Sequence, residues 1–362
     1  MPHQSYSTTL LFNFEFMKAR KIVVILMVTF TVLLSSFSFY GYQILKAPNI
    51  LVGKEGRTIV IPNDATFLDV QNLLYDQDIV QDPVSFSFLA KLMDYDKLVK
   101  PGRYEFAANM TNREAIRMLR AGSQATTFIT FNNVRLKEDL AKKICQTIEL
   151  DEGAFLVALE EFTTTSDLNK DNVMTLFIPN TYEVYWTASG AQIIERMKAE
   201  HTRFWNEDRI AKAVALNLSP IEVSILASIV QAESVKYDEK PIIAGLYLNR
   251  IRQGIALQAD PTLVFASGDF GLKRVLNVHK EIESPYNTYK YKGLPPGPIN
   301  LPEISSIDAV LDHEEHDYLY MCAKEDFSGY HAFASDYNDH LANARRYQRQ
   351  LSIEQRKARQ NK

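Results

Sequence analysis

Residues 219–234 read SPIEVSILASIVQAES, a stretch that fixes the register of one helix. Ser219 is a preferred N-cap, Pro220 suits the first helical position, and Glu222 completes a capping box with Ser219. Apolar residues then recur three and four positions apart, at Ile225, Leu226, Ile229 and Val230. This pattern predicts a helix whose apolar stripe lies in the core of an α+β domain.

Glu233 follows the stripe, three and four positions past Val230 and Ile229. Helical spacing therefore puts its carboxylate on the buried face. Removal from water disfavours the charged form and raises the pKa, so Glu233 would hold a proton near neutral pH, as a glycosidic general acid must. The alternative is a structural carboxylate at the edge of the stripe, paired with Lys236 or Arg250. Helix position alone favours this alternative, because ion pairs also perturb carboxylates.

Composition excludes several classes of protein. The chain has 362 residues and is 46% hydrophobic, which predicts two or three folded domains and disfavours disordered or fibrous classes. Its net charge of -4 provides no general attraction to a phosphate backbone, so nucleic acid is not an expected partner. Cys145 and Cys322 lie far apart in sequence and can either pair or stay free.

One histidine-rich segment invites interpretation as a metal site. His313-Glu314-Glu315-His316 has its histidines three positions apart, whereas a His-Glu-x-x-His zinc helix needs four. The sequence contains neither a Gly-rich phosphate loop nor a Gly-x-Ser-x-Gly elbow. We therefore expect no metal ion and no organic cofactor.

The N-terminal region contains an apolar segment, Ile22–Leu45, without a charged residue. Its length suits a single transmembrane helix. Basic residues within Lys18–Lys21 precede it, so the positive-inside tendency puts residues 1–21 in the cytoplasm and the chain after Lys46 outside the cytoplasmic (inner) membrane. A cleaved signal peptide is the alternative. The apolar run is longer than a usual signal core, and residues 47–49 make a poor cleavage site, so we expect an uncleaved anchor over residues 22–45.

Residues 46–125 are predicted to form a small α+β module. Alternation over Arg57–Pro62 indicates a strand, and a helix follows from about Pro83. Thr111-Asn112-Arg113-Glu114 has capping-box spacing and opens a further helix that ends at Gly122. Such a module serves equally well as a spacer or as a glycan-binding domain.

Residues 126–346 are predicted to form a larger α+β domain. Its first predicted elements are a strand over Thr126–Phe131, helices over Arg135–Ile148 and near Gly153–Phe162, and a polar surface loop over Thr163–Asn172. Residues 347–362 are a basic tail, which we expect to be a solvated helix or a frayed end.

Aromatic residues cluster after that loop, in Phe177-Ile178-Pro179-Asn180-Thr181-Tyr182 and at Tyr185 and Trp186. Aromatic rings stack on sugars, and they fill hydrophobic cores equally well. Tyr182 is therefore a candidate for glycan contact, with a core position as the equal alternative. His331 and His340 can line a cleft or satisfy a hydrogen bond in a core, and the second is the commoner role for a lone histidine.

Six segments occur in an order and spacing that resemble one known family. They are Leu226–Ser234, Ala244–Arg250, Leu257–Thr262, Ser284–Tyr289, Gly293–Ile299 and Gly329–Phe333. Together they cover most of residues 177–346 and resemble the endolytic murein transglycosylases, the YceG-like family of bacterial cell-wall enzymes. The single N-terminal anchor agrees with this resemblance. It implies a LysM-like module at 46–125 and a YceG-like catalytic domain at 126–346.

The resemblance implies a lytic transglycosylase, a carbon–oxygen lyase acting on nascent peptidoglycan strands. It would cleave the bond between N-acetylmuramic acid and N-acetylglucosamine and leave 1,6-anhydro ends, which terminates elongation. Glu233 would be the single catalytic acid/base, protonating the glycosidic oxygen and then taking the proton of the muramic 6-hydroxyl. Because an internal hydroxyl is the nucleophile, no second carboxylate is needed. The implied partners are glycan strands, the membrane, and cell-wall synthases and division proteins.

The same motifs supply further substrate-binding candidates. These are Gln258, Asp260, Thr262, Tyr286, Asn287 and Tyr289, beside Tyr182 and His331. The two amides can hold N-acetyl groups or orient Glu233, and the tyrosines offer stacking faces and hydroxyls. Asp260 would stabilise charge or, equally, cap the helix that Asp-Pro-Thr begins. Thr262 would be a hydrogen-bonding neighbour in either case.

The sequence departs from the family pattern at several places. Asn180 stands where many relatives carry an acidic residue, and Phe131–Arg135 replaces an expected Pro-Glu-Gly turn. The first module matches the LysM-like subdomain in pattern more than in residues. Two alternatives to the lyase therefore remain: a non-catalytic glycan-binding membrane scaffold for cell-wall synthesis or division, and a hydrolytic muramidase that needs a second carboxylate.

Overall fold

The computed structural model describes residues 5–272 and 274–360. Residues 1–4 of the predicted cytoplasmic segment and 361–362 of the predicted tail lie outside the described residues. The chain divides into two compact units, the first formed by residues up to 126 with 185–187, and the second by 127–184 with the residues from 188 onward. The fold is mixed α+β with an N-terminal apolar helix, as the sequence predicts.

The secondary structure of the described residues is as follows. The helices are α1 (Ser5–Lys46), α2 (Phe67–Asp76), α3 (Pro83–Leu92), α4 (Asn112–Ala121), α5 (Lys137–Cys145), α6 (Glu152–Thr165), α7 (Gly190–Phe204), α8 (Glu207–Ala215), α9 (Pro220–Glu233), α10 (Lys240–Arg252), α11 (Asp260–Ser267), α12 (Ile304–Leu311) and α13 (Tyr337–Gln360). The strands are β1 (Arg57–Ile61), β2 (Gly102–Phe106), β3 (Thr126–Phe131), β4 (Asn180–Tyr185), β5 (Tyr320–Ala323) and β6 (His331–Ala334). Short 3-10 helices cover Tyr95–Lys97, Val173–Leu176 and Asn277–Glu281.

Helix α1 is the apolar helix that the sequence predicts. Its part from Met17 to Lys46 has 30 residues and a mean hydropathy of 2.4, and its apolar side chains are exposed. That length and composition are sufficient to cross a membrane. The helix continues upstream of the predicted Ile22 as far as Ser5.

The rest of the first unit is a two-stranded sheet covered by three helices. Strands β1 and β2 are antiparallel, with Arg57 opposite Phe106 and Ile61 opposite Gly102. Helix α4 begins with the predicted capping box, in which Thr111 and Glu114 bond each other's backbone NH groups, and it ends at Gly122, whose φ of 74° is left-handed. These local signals are strong enough to set the boundaries of α4.

One hydrophobic core of the second unit lies under α5, α6, α7 and the β3–β4 sheet. Helix α6 continues to Thr165, so the predicted loop over Thr163–Asn172 begins three residues too early. The reason is that the hydroxyls of Thr163, Thr164 and Thr165 donate to carbonyls three residues back. The threonines thereby bond within the helix and let it continue. Cys145 adjoins this core as a free thiol.

Helix α9 is the centre of the second core, where α8, α10, α11 and α12 surround it. Every residue from Val223 to Val230 is buried, so the predicted one-sided stripe is in fact a helix buried on all sides. The polar positions tolerate burial because the Ser224 hydroxyl donates to Pro220 O and the Ser228 hydroxyl to Ile225 O. The hairpin of β5 and β6 and helix α13 complete this part of the unit, and α13 includes the predicted tail up to Gln360.

Candidate active site

Glu233 is the last residue of α9, and its carboxylate is bound by a tyrosine of the neighbouring helix. The Tyr247 hydroxyl on α10 donates to Glu233 Oε1 at 2.6 Å. Tyr247 is itself buried, and burial together with the adjacent Glu233 raises its pKa, so the phenol stays protonated and remains a donor. Arg250, a predicted alternative partner of Glu233, instead donates to Ala256 O, Leu319 O and Gln258.

The surroundings of Glu233 favour its protonated form. Burial raises the pKa of Glu233 to about 7, and the charge of Asp260 adds to that rise, while the hydrogen bond from Tyr247 opposes it. The side chain is nevertheless only half-buried, so a ligand can reach the carboxyl group. A carboxyl group with a raised pKa at the end of this helix is what the sequence predicts from the apolar stripe.

Two cavities meet at Glu233 and Asp260, which line both of them. The cavity on the side of the β5–β6 hairpin has a volume of about 270 Å³ and is also lined by Gln258, Tyr289 and His331. We call it the hairpin-side cavity. The cavity on the side of α11 has a volume of about 560 Å³ and is also lined by Phe265, Phe270, Arg135, Arg274 and Asn300. We call it the helix-side cavity. An extended ligand that occupied both would therefore pass over Glu233.

Asp260 lies at the start of α11 and faces these cavities. Its Oδ1 accepts a hydrogen bond from the Tyr289 hydroxyl at 2.5 Å, and the N-cap of α11 is Ala259, which makes no side-chain capping bond. Burial raises the pKa of Tyr289, with Asp260 as the next cause, so Tyr289 also stays a donor. Asp260 thus lies at the cavities and accepts from Tyr289, and its role in stabilising charge stays a prediction.

Gln258 adopts a left-handed backbone with a φ of 55°, which is uncommon for a residue other than glycine. Its side-chain oxygen accepts from Arg250 Nη2 at 2.6 Å, and its backbone NH donates to Thr288 O. The bond from Arg250 fixes the orientation of the amide, because a guanidinium can only donate. The amide NH2 is then the group that Gln258 can offer to a ligand carbonyl.

A buried carboxylate that the sequence analysis missed holds His331 at the hairpin-side cavity. Glu239 is 2% exposed; it accepts from the His331 backbone NH at 2.6 Å and lies 2.8 Å from His331 Nδ1. It also accepts from the hydroxyl of Ser234, the residue that follows Glu233. Glu239 therefore links the end of α9 to strand β6 and orients His331.

Tyr182 lies away from both cavities, in the core position that the sequence offers as the equal alternative to glycan contact. It is 5% exposed, stacks on Phe131 with ring centroids 5.4 Å apart, and donates its hydroxyl to Ile178 O. The cause is the alternation of β4, which turns Tyr182 and Val184 into the first core of the second unit. The core alternative therefore describes Phe177 and Tyr182, whereas Tyr185 of the same cluster is 54% exposed.

Asn287 is fully buried and has no free amide group for a sugar. Its NH2 donates to the carbonyls of Lys280 and Ile282, and its oxygen accepts from the backbone NH groups of Tyr289 and Lys290. Contact of this amide with an N-acetyl group stays a prediction, and all four of its hydrogen bonds are made within the loop. Asn287 thereby holds the loop that brings Tyr289 to Asp260.

Two other candidates support the site from behind. Tyr286 is partly buried and packs on Phe265 with ring centroids 4.7 Å apart, so it buttresses the helix-side cavity without lining it. The Thr262 hydroxyl is buried, donates to Ala259 O and shares a hydrogen bond with Thr288. Both residues shape the loop and helix that carry Asp260.

Sequence reasoning missed Tyr247 as a site residue and considered Arg250 only as an ion-pair partner of Glu233. Tyr247 and Arg250 are polar groups inside the apolar run of α10, and such groups need buried partners, which was an available signal. His340 is the second of the two histidines that the sequence allows either to line a cleft or to satisfy a hydrogen bond in a core. Its ring stacks on Tyr320 beside the hairpin-side cavity, and burial lowers its pKa, which favours the neutral imidazole.

Comparison with known proteins assigns the family. The model of the YceG-like family matches residues 59–346. The chain belongs to the YceG-like family. This confirms the resemblance that the six ordered motifs indicate, over most of the same region.

Individual YceG-like relatives cover most of this chain. An endolytic murein transglycosylase of Streptococcus pneumoniae serotype 2 is 25% identical over 358 residues, which cover 89% of this chain and 64% of that protein. An endolytic murein transglycosylase of Bacillus subtilis is 27% identical over 305 residues, which cover 79% of this chain and 83% of the relative. The chain thus spans 64% of the length of the pneumococcal relative that it matches.

A solved structure supports the same fold. The crystal structure of a yceG-like protein from Listeria monocytogenes matches with a TM-score of 0.54 and 26% sequence identity. The match covers 80% of this chain and 99% of the Listeria chain.

Proposed function

We propose that this YceG-like chain is an endolytic murein transglycosylase, a lyase that cuts nascent peptidoglycan strands. The activity named for the relatives supports the substrate class. The observation that carries the proposal is the half-buried Glu233, whose pKa is raised to about 7 and which lines two cavities at once. A general acid works best when its pKa lies near the working pH.

In the proposed reaction, Glu233 acts first as acid and then as base. It protonates the oxygen between N-acetylmuramic acid and N-acetylglucosamine, and positive charge builds at the muramic C1. The carboxylate then takes the proton of the 6-hydroxyl, and the 6-oxygen bonds to C1. The products are a 1,6-anhydro-muramic end and a free 4-hydroxyl, and Glu233 regains its proton. Asp260 would stabilise the positive charge, and Gln258 would bind an N-acetyl carbonyl.

The two cavities support cleavage within a strand. A glycan that runs from one cavity to the other would place sugars on both sides of Glu233, as an endolytic cut requires. His331 and Tyr289 would contact it in the hairpin-side cavity, and Phe270 and Arg135 in the helix-side cavity. We assign this catalytic role to residues 126–346, and the module at 46–125 keeps its two predicted roles, spacer or glycan-binding domain.

Helix α1 supports the proposed location. We propose that residues 22–45 anchor the protein in the cytoplasmic membrane, with residues 1–21 in the cytoplasm and the rest of the chain outside. The enzyme would then work where nascent strands emerge. Its proposed partners, besides glycan, are the cell-wall synthases and division proteins that act there.

Asp260 favours one second candidate, a hydrolytic muramidase. A hydrolase of this kind needs a second carboxylate to activate water or form a covalent bond, and Asp260 lines the same cavities as Glu233. The two mechanisms differ in what Asp260 must do. Asp260→Asn should abolish hydrolysis, whereas the lyase should keep measurable activity because Glu233 performs both proton transfers.

Digestion of purified glycan strands by the full-length protein in detergent tests the proposal, with products read by mass spectrometry. We expect 1,6-anhydro ends on internal fragments. Reducing muramic ends would assign the muramidase instead. Binding of strands without any cleavage would make the protein a scaffold with a structural Glu233.

A further inference from the structure

Helix α3 of the first unit has two apolar faces, and only one of them is covered by protein. Phe86, Leu89 and Ala90 are buried in the core of the unit. Val84, Phe88 and Leu92 recur every fourth residue and are 75%, 58% and 67% exposed. Residues four apart lie on the same side of a helix, so these three side chains form one bare apolar stripe. We call it the α3 stripe.

The α3 stripe lies beside the apolar helix α1. A groove of about 650 Å³ is lined by the stripe together with Leu33, Phe37, Tyr40, Gly41 and Leu45 of α1. The end of α1 is fastened to the same unit, because the buried Asn112 side chain donates to Ile44 O at 3.4 Å. Helix α3 therefore runs alongside the last turns of α1.

The length of the apolar segment fixes how deep those turns lie. A helix needs about 20 residues to cross the hydrocarbon core, so a span that begins at Ile22 ends near Gly41. Leu33, Phe37 and Tyr40 then lie in the half of the core on the side of the module. Whatever packs against these residues shares their depth.

The membrane-crossing part of α1 cannot be shifted far in either direction, so Leu33, Phe37 and Tyr40 stay at this depth. If α1 moved outward until Leu33 left the membrane, only the eleven residues Ile22–Val32 would remain to cross it, which is too short. If the span moved toward the N-terminus, the charges of Lys18, Arg20 and Lys21 would enter the hydrocarbon, which is unfavourable for ionised side chains.

We propose that the α3 stripe is inserted among the acyl chains of the membrane leaflet nearest the module. Helix α3 would then be a second membrane-contacting element, and the groove between it and α1 would hold lipid tails. Lys91, beside Leu92, can extend its ammonium to the headgroups. The inference rests on the membrane anchor proposed above, and it adds that the module is partly embedded instead of suspended on α1.

Tryptophan fluorescence of the full-length protein in vesicles tests this proposal. Phe88→Trp and Leu92→Trp each put an indole on the stripe without disturbing the core. Phe37→Trp reports the anchor itself, and Val157→Trp, a 57% exposed position on α6 in the second unit, is the control in water. Emission is compared between phosphatidylcholine vesicles with ordinary and with dibrominated acyl chains, after subtraction of the wild-type signal of Trp186 and Trp205.

We expect brominated chains to quench Phe88→Trp and Leu92→Trp to an extent comparable with Phe37→Trp, with emission shifted to the blue, and to leave Val157→Trp unchanged. If only Phe37→Trp is quenched, the anchor stands and the insertion of α3 is wrong. If none of the variants is quenched, the anchor and the insertion both fail. A blue shift without quenching, which grows with protein density, would mean that a second protein chain covers the stripe and would overturn the proposal.

Discussion

Helices α9 and α3 are both short and apolar, yet they differ in what covers them. Protein surrounds α9 from Val223 to Val230, and the half-buried carboxyl group at its end is desolvated enough that its pKa rises to about 7. Protein covers only half of α3, and the bare half lies next to the helix proposed to cross the membrane. The comparison shows that an apolar helix is understood only when the medium on each of its faces is known.

The largest expected effect lies at the end of α9. Glu233→Gln keeps the shape of the side chain but cannot cycle a proton, so strand cleavage should fall by about 100-fold or more. Release of anhydro ends over time measures the loss. Glu195→Gln, an exposed glutamate on α7 whose ion pair with Lys198 has an N–O distance of 3.7 Å, is the matched control and should keep wild-type activity. Turnover near the wild-type rate by Glu233→Gln would remove Glu233 from the mechanism.

The two helices should respond differently to the loss of an apolar side chain. Leu226 on α9 is fully buried, so Leu226→Ala should lower the free energy of unfolding by about 3 kcal/mol, within the usual range for a core leucine. Phe88→Ala on the α3 stripe removes a side chain that is already exposed. It should change the free energy of unfolding by less than about 0.5 kcal/mol in detergent. Denaturant unfolding measures both. Equal losses would mean that the stripe is buried by protein.

The stability of the protein should also depend on the charge of Glu233. Its folded pKa of about 7 lies above the ordinary value of 4.5, so the folded state binds the proton more tightly. The stability that this proton provides is full at low pH and is lost as the pH rises through about 7. Glu233→Gln has no carboxyl proton to lose. The difference in free energy of unfolding, variant minus wild type, should therefore rise by about 2 kcal/mol between pH 5 and pH 8. A stability difference that does not change with pH would contradict the raised pKa.

The smallest effect concerns the hydrogen bond from Tyr247. This bond opposes the rise in the pKa of Glu233, so Tyr247→Phe should raise that pKa further, by about one unit, since a bond to a charged group contributes about 1.5 kcal/mol or more. Cleavage requires protonated Glu233 and should fall above about pH 7 in the wild type. The alkaline limb of kcat/KM against pH should therefore move to higher pH in the variant. A shift of this limb to lower pH would mean that the Tyr247 hydroxyl does not stabilise the charged form of Glu233.

The sequence predicts a helix boundary well where residues close together in the chain determine it. The capping boxes that begin at Thr111 and Ser219 are present at α4 and α9, because each needs only residues three positions apart. The raised pKa of Glu233 follows from the same register. The strands β5 and β6 were not predicted, since their four residues each are too few to establish an alternating pattern.

The lining of the site was harder to predict because one residue type serves two purposes. Tyr182 and Tyr289 are both tyrosines in aromatic segments, but one lies in a core and the other binds Asp260. Asn287 differs from Gln258 in the same way, since the loop backbone uses all its hydrogen-bonding capacity. Tyr247 lies fourteen residues after Glu233, and only the packing of α10 on α9 brings them together.

Glu233 ends α9, and this position has a consequence for how its proton affinity can evolve. The carbonyl groups of the last turn of a helix carry partial negative charge that disfavours a carboxylate nearby. This contribution comes from the backbone, so exchanging side chains around the cavities leaves it in place. The walls of the groove can thus adapt to differently substituted strands while the end of the helix continues to favour the protonated form of Glu233.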